Sequence, residues 1–292
     1  MFSNIPISWL AFCLRRFPLE AGRWRLLPLA LRLCREAFQR STPRCIRTRH
    51  GFRMHIDVSD WLGRHLFVTG EYEPSTTALF KRLLRPGDTF LDIGANAGYF
   101  TLLGAKMVGK AGRVLSFEPI PAVRKQLEDN IRLNGEACCV VYDVAVSNVD
   151  GTSQFFVGPQ DHLGTSSMRA ISDFTSSIDV RTARLDDLLA DNVQIAAAKI
   201  DVEGAECHVL EGMQGLLARC HPDLVLEITP QYLQGLGRTV EDIDRLLQPL
   251  GYRAFAIENT VLRPLPSLAA ATVSQFNAYC TIRDDIAALL PA

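Results

Sequence analysis

The chain has 292 residues, of which 48% are hydrophobic and 22% charged, and its formal net charge is −1. This composition is typical of a globular protein with a substantial core. No apolar run approaches the roughly 20 residues of a membrane-spanning helix, and the eight cysteines include no Cys-x-x-Cys pair that would indicate a zinc site. No cleavage site of a secretory signal follows the apolar residues 5–14, so we expect a cytoplasmic protein.

Positive charge is concentrated at the N-terminus. Residues 1–53 contain eleven arginines, no lysine and two acids, which gives a net charge of 11 − 2 = +9. Aromatic and leucine side chains lie among the arginines, and Pro18, Pro28 and Pro43 interrupt the segment. We predict a helical, basic N-terminal extension. Two interpretations fit it: an interfacial helix in peripheral contact with a membrane, or a helical cap with a solvated arginine face, which we favour.

Downstream of this extension, residues 50–70 predict a small β-rich lead-in, and residues 74–84 predict a helix. Strands and helices then alternate, which predicts a mostly parallel sheet covered by helices on both faces. Residues 151–180 break this rhythm and predict one short strand, 154–157, and a loop. We therefore divide the chain into an extension with its lead-in, 1–69, and one α/β domain, 70–285. The predicted strands of that domain are 89–93, 113–118, 139–146, 196–202, 223–228, 252–257 and 276–282, and its predicted helices are 98–107, 120–134, 185–190, 204–218 and 240–249.

A glycine turn follows the first predicted strand of this domain, in the segment DIGANAGYFT at residues 92–101. Strand, glycine turn and helix form the nucleotide-binding corner of a doubly wound sheet. A dinucleotide site requires Gly-x-Gly-x-x-Gly, whereas this turn reads Gly94-x-Asn96-x-Gly98, with Asp92 two residues upstream. A carboxylate repels phosphate but attracts an ammonium group. The turn therefore predicts a site for S-adenosylmethionine, and we include Thr101 of the following helix among its cofactor-binding residues.

Further acids follow two later strands. Glu118 ends the next strand, twenty residues after the turn, at the spacing where such folds place an acid against ribose hydroxyls. The segment KIDVEGAE, residues 199–206, places Asp201 and Glu203 after another strand. Ligands of open α/β sheets bind beyond the carboxyl ends of the strands. We therefore expect Asp92, Glu118 and Asp201 on one rim, with Asp201 close to the reacting methyl group and Glu203 facing the acceptor.

Several segments, in their order and spacing, resemble the FkbM family of S-adenosylmethionine-dependent methyltransferases: DTFLDIGANAGYFTLLGA, VLSFEP, VAVSNVDG, TARLDDLL, AAKIDVEGAECHVLEGM and LVLEITP. The resemblance covers about residues 70–282 and leaves the arginine-rich extension outside it. It implies a seven-stranded class I methyltransferase fold of Rossmann-like architecture, acting on hydroxyl groups of polyketides, sugars or other glycan-like acceptors. At the matching positions it implies cofactor contacts from Glu73, Asp92, Gly94, Asn96, Gly98, Glu118, Asp143, Val144 and Asp201, with Glu203 in the same box as Asp201.

We predict an enzyme that transfers a methyl group from S-adenosylmethionine to a hydroxyl of a small molecule, polyketide or glycan. Such an acceptor must lose its proton to a group within hydrogen-bond reach, and Asp201 or Glu203 is our candidate catalytic base. We predict no metal site, although a divalent ion held by these two acids stays an alternative.

Two rival functions follow from other features of the sequence. One is a nucleic-acid methyltransferase that uses the basic N-terminus as its electrostatic footprint. The segment DVEG after the fourth strand of the domain lacks the Pro-Pro-aromatic box used for methylation of base amino groups, so we do not expect a nucleic-acid partner. The other rival is a membrane-surface or assembly protein on a relic methyltransferase fold.

Overall fold

The computed structural model describes residues 43–157, 176–258 and 261–289. The predicted extension at residues 1–42 and much of the predicted loop at 151–180 lie outside the described residues. The described strands, numbered in chain order, are β1 (Arg44–Arg47), β2 (Arg53–Ile56), β3 (Thr89–Ile93), β4 (Arg113–Phe117), β5 (Cys139–Tyr142), β6 (Ala145–Val146), β7 (Gly151–Val157), β8 (Ser176–Ala183), β9 (Ala197–Ile200), β10 (Asp223–Ile228), β11 (Arg253–Glu258), β12 (Val261–Leu265) and β13 (Phe276–Thr281).

The described α-helices are α1 (Trp61–Thr69), α2 (Pro74–Leu83), α3 (Tyr99–Val108), α4 (Pro121–Asn134), α5 (Leu185–Leu188), α6 (Glu206–Glu211), α7 (Gln214–Cys220), α8 (Pro230–Gly235) and α9 (Val240–Leu247). Short 3₁₀ turns occupy Gln248–Leu250, Leu268–Ala270 and Ile286–Leu289. None of the helices in these described ranges is long and apolar enough to cross a membrane.

A central sheet of eight strands has the order β12-β11-β13-β10-β9-β3-β4-β5. Strands β10, β9, β3, β4 and β5 are parallel to one another, whereas β13 is antiparallel to both β10 and β11. The predicted fold class, a mostly parallel class I methyltransferase sheet with helices, is confirmed. All seven predicted strands contribute to this sheet, the predicted strand 139–146 only through its first half, and β12 adds an eighth strand at the edge by pairing with β11.

The sheet is buried on both faces, and each strand contributes to both cores because successive side chains point to opposite sides. In β3, Phe90 packs into the core on one face and Leu91 into the core on the other. In β4, Val114 and Leu115 divide in the same way. Strands buried on both faces read as near-continuous apolar runs, which explains why the sequence predicted the sheet well.

The lead-in before the sheet is a β1–β2 hairpin followed by helix α1. The expected β-structure at residues 61–68 is wrong, because that stretch is helical. Asp60 begins the helix by accepting the Gly63 N–H, and Gly70 ends it in the left-handed conformation at φ 73°. These are ordinary helix-boundary signals, and they outweigh the strand preference of the Trp, Phe and Val side chains between them.

Asn130 of α4 joins the hairpin to the glycine turn. Its side chain is fully buried, accepts the His55 N–H at 2.7 Å and donates to the Ala97 carbonyl at 2.9 Å. Residues of the lead-in also share a hydrophobic core with the sheet, including Met54 and Leu66. The lead-in is therefore packed against the part of the chain that carries the predicted cofactor turn.

Three further expectations need correction. The predicted strand 139–146 divides at Asp143: β5 stays in the central sheet, and β6 pairs with β8 in a separate three-stranded sheet. The region 151–180 contains the β7–β8 hairpin, of which only a part of β7 was predicted. The predicted helix 204–218 is two helices that meet at Gly212, where a Cβ would lie 1.9 Å from the Ser147 carbonyl oxygen, so the chain bends to admit a neighbouring backbone.

Candidate active site

A cavity of about 390 Å³ lies beyond the carboxyl ends of β3, β4, β9 and β10. That is the edge of an open α/β sheet where ligands bind, and the volume is in the range of about 300–1,000 Å³ typical of ligand pockets. Acidic side chains lie around it: Asp60, Asp92, Glu118, Asp201, Glu203 and Glu227. Among the described residues that line this cavity, Lys199 is the one basic side chain.

The glycine turn packs directly against the loop that follows β9. Gly94 has φ 82°, and a Cβ on it would lie 1.8 Å from the Asp201 carbonyl oxygen. Asn96 also has a left-handed backbone, at φ 50°, a conformation that asparagine tolerates better than most residues. Gly98, at φ 93°, precedes the first turn of α3. The turn therefore takes a path that only small or permissive residues can follow, and it brings β3 and β9 together at the cavity.

Asp92 lies at the base of the turn and is 2% exposed. Its Oδ2 accepts a hydrogen bond from Thr101 Oγ1 at 2.6 Å, and Thr101 Oγ1 is 2.9 Å from Ser116 Oγ. Burial raises the pKa of Asp92 to about 6, against the opposing effect of the Thr101 hydrogen bond. Thr101 does not line the cavity itself, so its contribution is to orient Asp92.

Glu118 is held by backbone groups on both of its oxygens. Oε2 accepts the Asn96 N–H at 3.0 Å, and Oε1 accepts the Ile120 N–H at 2.9 Å. Burial raises the pKa of Glu118 to about 7, although both backbone hydrogen bonds favour its charged form. The wall beside it is apolar and includes Phe117, Ile120, Val123, Val144, Ala145 and Phe155. An acid beside an apolar wall suits a ribose next to an adenine ring.

A buried ion cluster surrounds Lys199, a residue of β9 that is 1% exposed. Its Nζ is 2.9 Å from Asp201 Oδ2 and 3.9 Å from Glu73 Oε1, and it lies 5.3 Å from the centroid of the Phe100 ring. Burial opposes the ammonium charge, but Asp201, Glu73 and Glu227 outweigh it and raise the pKa of Lys199 above its usual range. Lys199 is therefore a permanent cation at this end of the cavity.

The acids around Lys199 differ in charge state. Burial opposes ionisation of Asp201, but Lys199 and a hydrogen bond with Glu227 outweigh it, so the pKa of Asp201 is lowered. The negative charge of Asp201, together with burial, raises the pKa of Glu227 to about 10. Burial also raises the pKa of Glu73, whose Oε2 accepts a hydrogen bond from Asn277 at 2.8 Å. The two shifts have opposite directions, so Asp201 is the favoured site of the negative charge in this pair and Glu227 the favoured site of the proton.

Glu203 lines the cavity from a strained turn. Its φ is 55°, and Gly204 follows at 104°, with the Gly204 Cα packed so closely that a Cβ would lie 2.7 Å from the Tyr232 backbone. Glu206 closes this turn by accepting the Gly204 N–H at 3.1 Å. Glu206 is buried, and burial raises its pKa to about 7. The left-handed backbone of Glu203 directs its side chain to the cavity, whereas Glu206 supports the loop.

The predicted site residues divide into two groups. Seven line the cavity: Asp92, Gly94, Asn96, Glu118, Val144, Asp201 and Glu203. Four do not: Gly98 begins α3, Thr101 orients Asp92, Glu73 contacts Lys199 and Asn277, and Asp143 is exposed where the chain leaves β5.

Sequence reasoning missed several residues that line the same cavity: Lys199, Glu227, Tyr232, Gln275, Tyr72 and the lead-in residues Asp60 and Trp61. A usable signal existed for Lys199 and Glu227, because Lys199 is the one charged residue of β9 and Glu227 interrupts the apolar run 224–228 of β10. Within the described ranges, no group of three or more His, Cys, Asp or Glu side chains is placed to hold a metal ion.

The chain is similar to known methyltransferases. The sequence pattern of the methyltransferase FkbM domain matches residues 92–254, which is more than half of the chain. A Schizosaccharomyces pombe protein named as a ribosomal RNA methyltransferase is 28% identical over 111 residues, and a protein-L-isoaspartate O-methyltransferase of Triticum aestivum is 31% identical over 88 residues. These matches span 38% and 30% of this chain, and only 37% and 38% of the relatives' own length. Among solved structures, an FkbM methyltransferase of Methylobacillus flagellatus KT matches with a TM-score of 0.44 at 17% identity, over 74% of this chain and 52% of that one.

Proposed function

The chain belongs to the FkbM family of methyltransferases, and we propose that it methylates a hydroxyl group of a small molecule, polyketide or glycan. S-adenosylmethionine is the methyl donor. The observation that carries the proposal is the acidic lining of the cavity, which includes six carboxyl groups and one buried ammonium. This lining suits a cationic donor and a neutral acceptor, and it repels a phosphate backbone.

The residues present fit S-adenosylmethionine along the length of the cavity. Asp92 and Asp201 would face its ammonium end, Glu118 would accept hydrogen bonds from the ribose hydroxyls, and the apolar wall at Val144 would cover the adenine. The close backbone contact between Gly94 and Asp201 fixes the positions of these side chains relative to one another. When bound, S-adenosylmethionine supplies a methyl group on a positively charged sulfur.

The protein's own residues then have two tasks, alignment of the acceptor and removal of its proton. Alignment of two reactants can lower a barrier by about 7–11 kcal/mol. For proton removal we assign Glu203, which lines the cavity on the loop beside Asp201. Asp201 is poorly suited to this role, because its pairing with Lys199 keeps its pKa low, and an efficient base has a pKa near the working pH. Asp201 would instead supply negative charge near the cationic end of the bound donor.

Calorimetric titration with S-adenosylmethionine tests the donor half of the proposal, with NAD and ATP as controls. We expect micromolar binding of S-adenosylmethionine alone. Failure of the folded protein to bind it would remove the proposal and favour a relic fold that acts in assembly or at a membrane surface, which liposome flotation of the full chain would examine.

Transfer of labelled methyl groups tests the acceptor half. Neutral hydroxylated acceptors and RNA are offered in parallel at low and high salt. Label in a hydroxyl group supports the proposal, whereas salt-sensitive labelling of RNA alone would establish the nucleic-acid alternative. Glu203→Gln should lower kcat by about 100-fold or more, the usual contribution of a general base. Glu128→Gln, an exposed acid on α4, should leave kcat unchanged and serves as the control.

A further inference from the structure

One wall of the cavity is built by the lead-in, outside the residues that match the family pattern. Asp60, Trp61 and Leu62 at the start of α1 line it, together with Tyr72. The start of α1 is fixed in place, because Asp60 accepts the Gly63 N–H and a Cβ on Gly63 would lie 1.8 Å from the Asp57 carbonyl oxygen. The cap and this close packing set the position of the wall where it meets the cavity.

Trp61 is the exposed aromatic group of this wall. It is 45% exposed, although its indole contacts Tyr72 edge to face at 5.8 Å and lies 4.1 Å from the His65 ring. Tyr72 in turn packs against Tyr99 and Phe100 on the cavity floor, at 5.8 and 6.1 Å. The indole is thus the outermost member of a row of packed rings. A large, rigid aromatic surface of this kind gives contact area at little cost in conformational entropy.

Polar groups line the same cavity from other elements. Glu203 and Tyr232 follow β9 and β10, and Gln275 precedes β13 and donates to Glu227. An aromatic surface with a few hydrogen-bonding groups around it is the usual composition of a small-molecule pocket. The carboxyl groups disfavour an anionic acceptor, and Asp60 places one of them next to the indole.

We propose that Trp61 and its neighbours in the lead-in form the acceptor platform, on which a neutral hydroxylated ring stacks with its hydroxyls toward Glu203 and Gln275. Trp61 is then a specificity-determining residue supplied by a segment outside the matched domain. The inference rests on the proposed hydroxyl methylation, because it places the acceptor ring against the same cavity. The platform adds to that function the surface that determines which acceptor rings are bound.

The test is binding of two probes of equal shape, methyl glucoside and methyl glucuronide, measured by saturation-transfer NMR with S-adenosylhomocysteine present. The wild-type protein should bind the neutral glycoside and not the anionic one. Trp61→Ala should weaken that binding by about tenfold, the order expected for loss of an aromatic contact, and Trp61→Phe should restore most of it. Val140→Ala, which alters a residue of equal exposure on β5, is the control and should bind as the wild type does.

The outcomes separate the platform from the proposed reaction. Absence of glycoside binding to the wild type, preference for the glucuronide, or equal binding by Trp61→Ala would overturn the platform, even if hydroxyl methylation is observed. Trp61-dependent glycoside binding without label in any hydroxyl would leave the platform standing and refute the reaction. Affinity for S-adenosylmethionine, measured separately, should be the same in Trp61→Ala and the wild type.

Discussion

Replacing Lys199 with methionine removes the buried positive charge that faces Asp201, Glu73 and Glu227. The ammonium is 2.9 Å from Asp201 and 3.9 Å from Glu73, and it is 1% exposed. Methionine has a similar length, so the change leaves the carboxyl groups buried without their partner. Removal of one member of a buried pair costs about 3–5 kcal/mol. At about 2–4 °C per kcal/mol for a protein of this size class, the melting temperature should fall by roughly 6–20 °C.

The pH dependence of this loss has a definite sign. In the wild type the pKa of Lys199 is raised, so its charge and its contribution persist throughout the neutral range. In the variant, Asp201 and Glu73 lose that cation, and their folded-state pKa values must rise. A carboxyl whose pKa is higher in the folded state destabilises progressively as pH rises through the range between its unfolded and folded values. The variant should therefore be closest to the wild type near pH 5 and furthest from it near pH 8.

Thermal denaturation followed by circular dichroism at several pH values measures both effects. Lys125→Met is a matched control, because Lys125 Nζ is 2.7 Å from Asp129 but its side chain is 75% exposed. Exposed ion pairs contribute little to stability, so this variant should melt like the wild type. Equal melting of the two variants, or a Lys199→Met deficit that does not change with pH, would refute the assignment of Lys199 as the counter-ion of the cluster.

Three further predictions concern the donor site. Glu118→Gln should raise the Kd for S-adenosylmethionine about tenfold or more, the cost of one charge-assisted hydrogen bond. The affinity of the wild type should rise as the pH increases through about 7, where Glu118 ionises. Calorimetry that shows equal affinity or an equal pH profile in the two proteins would exclude the ribose contact. Gly94→Ala should abolish cofactor binding because its Cβ would meet the Asp201 carbonyl. Gly87 has a similar φ of 94°, but a Cβ there would have nothing within 4 Å, so Gly87→Ala should retain binding and is the control. Binding by both variants would show that the backbone of the Gly94 turn can shift to admit a side chain. Asp201→Asn should abolish turnover in the labelled-methyl assay, and a near-normal rate would rule out an essential charge there.

The parts of the fold that sequence predicted well are those governed by local patterns. An apolar run predicts strand β3, a glycine pattern predicts the turn at Gly94, and apolar residues at helical spacing predict helix α3. Helix α1 was mistaken for β-structure because the apolar side chains between Asp60 and Gly70 suit either element, and the helix-boundary residues were the better guide. Strand β8 was missed because its outer half is polar and exposed, so its pairing with β7 has no strong apolar signature.

The candidate site shows a similar division. Asp92, Glu118 and Asp201 each follow a strand, so topology alone brings them to one edge of the sheet. Lys199 was overlooked because a lysine is ordinarily taken as solvent-facing, and because one of its two carboxylate partners, Glu73, lies 126 positions earlier in the chain. Trp61 was overlooked because its place at the cavity depends on how the lead-in packs, and no pattern within residues 50–70 encodes that contact.

Strand β13 has a consequence for anyone who wishes to shorten this protein. It lies between β10 and β11 in the sheet, yet it belongs to residues beyond the end of the matched family segment. Tyr279 and Thr281 donate to Asp223 at 2.7 and 2.6 Å, and Arg283 donates to it at 2.7 Å. A fragment trimmed to residues 92–254 would lose β13, β12 and nearly all of β11, expose the edge of β10 and leave a buried aspartate without these donors. The stretch by which the family is recognised is thus smaller than the piece that must be expressed to obtain a stable fold.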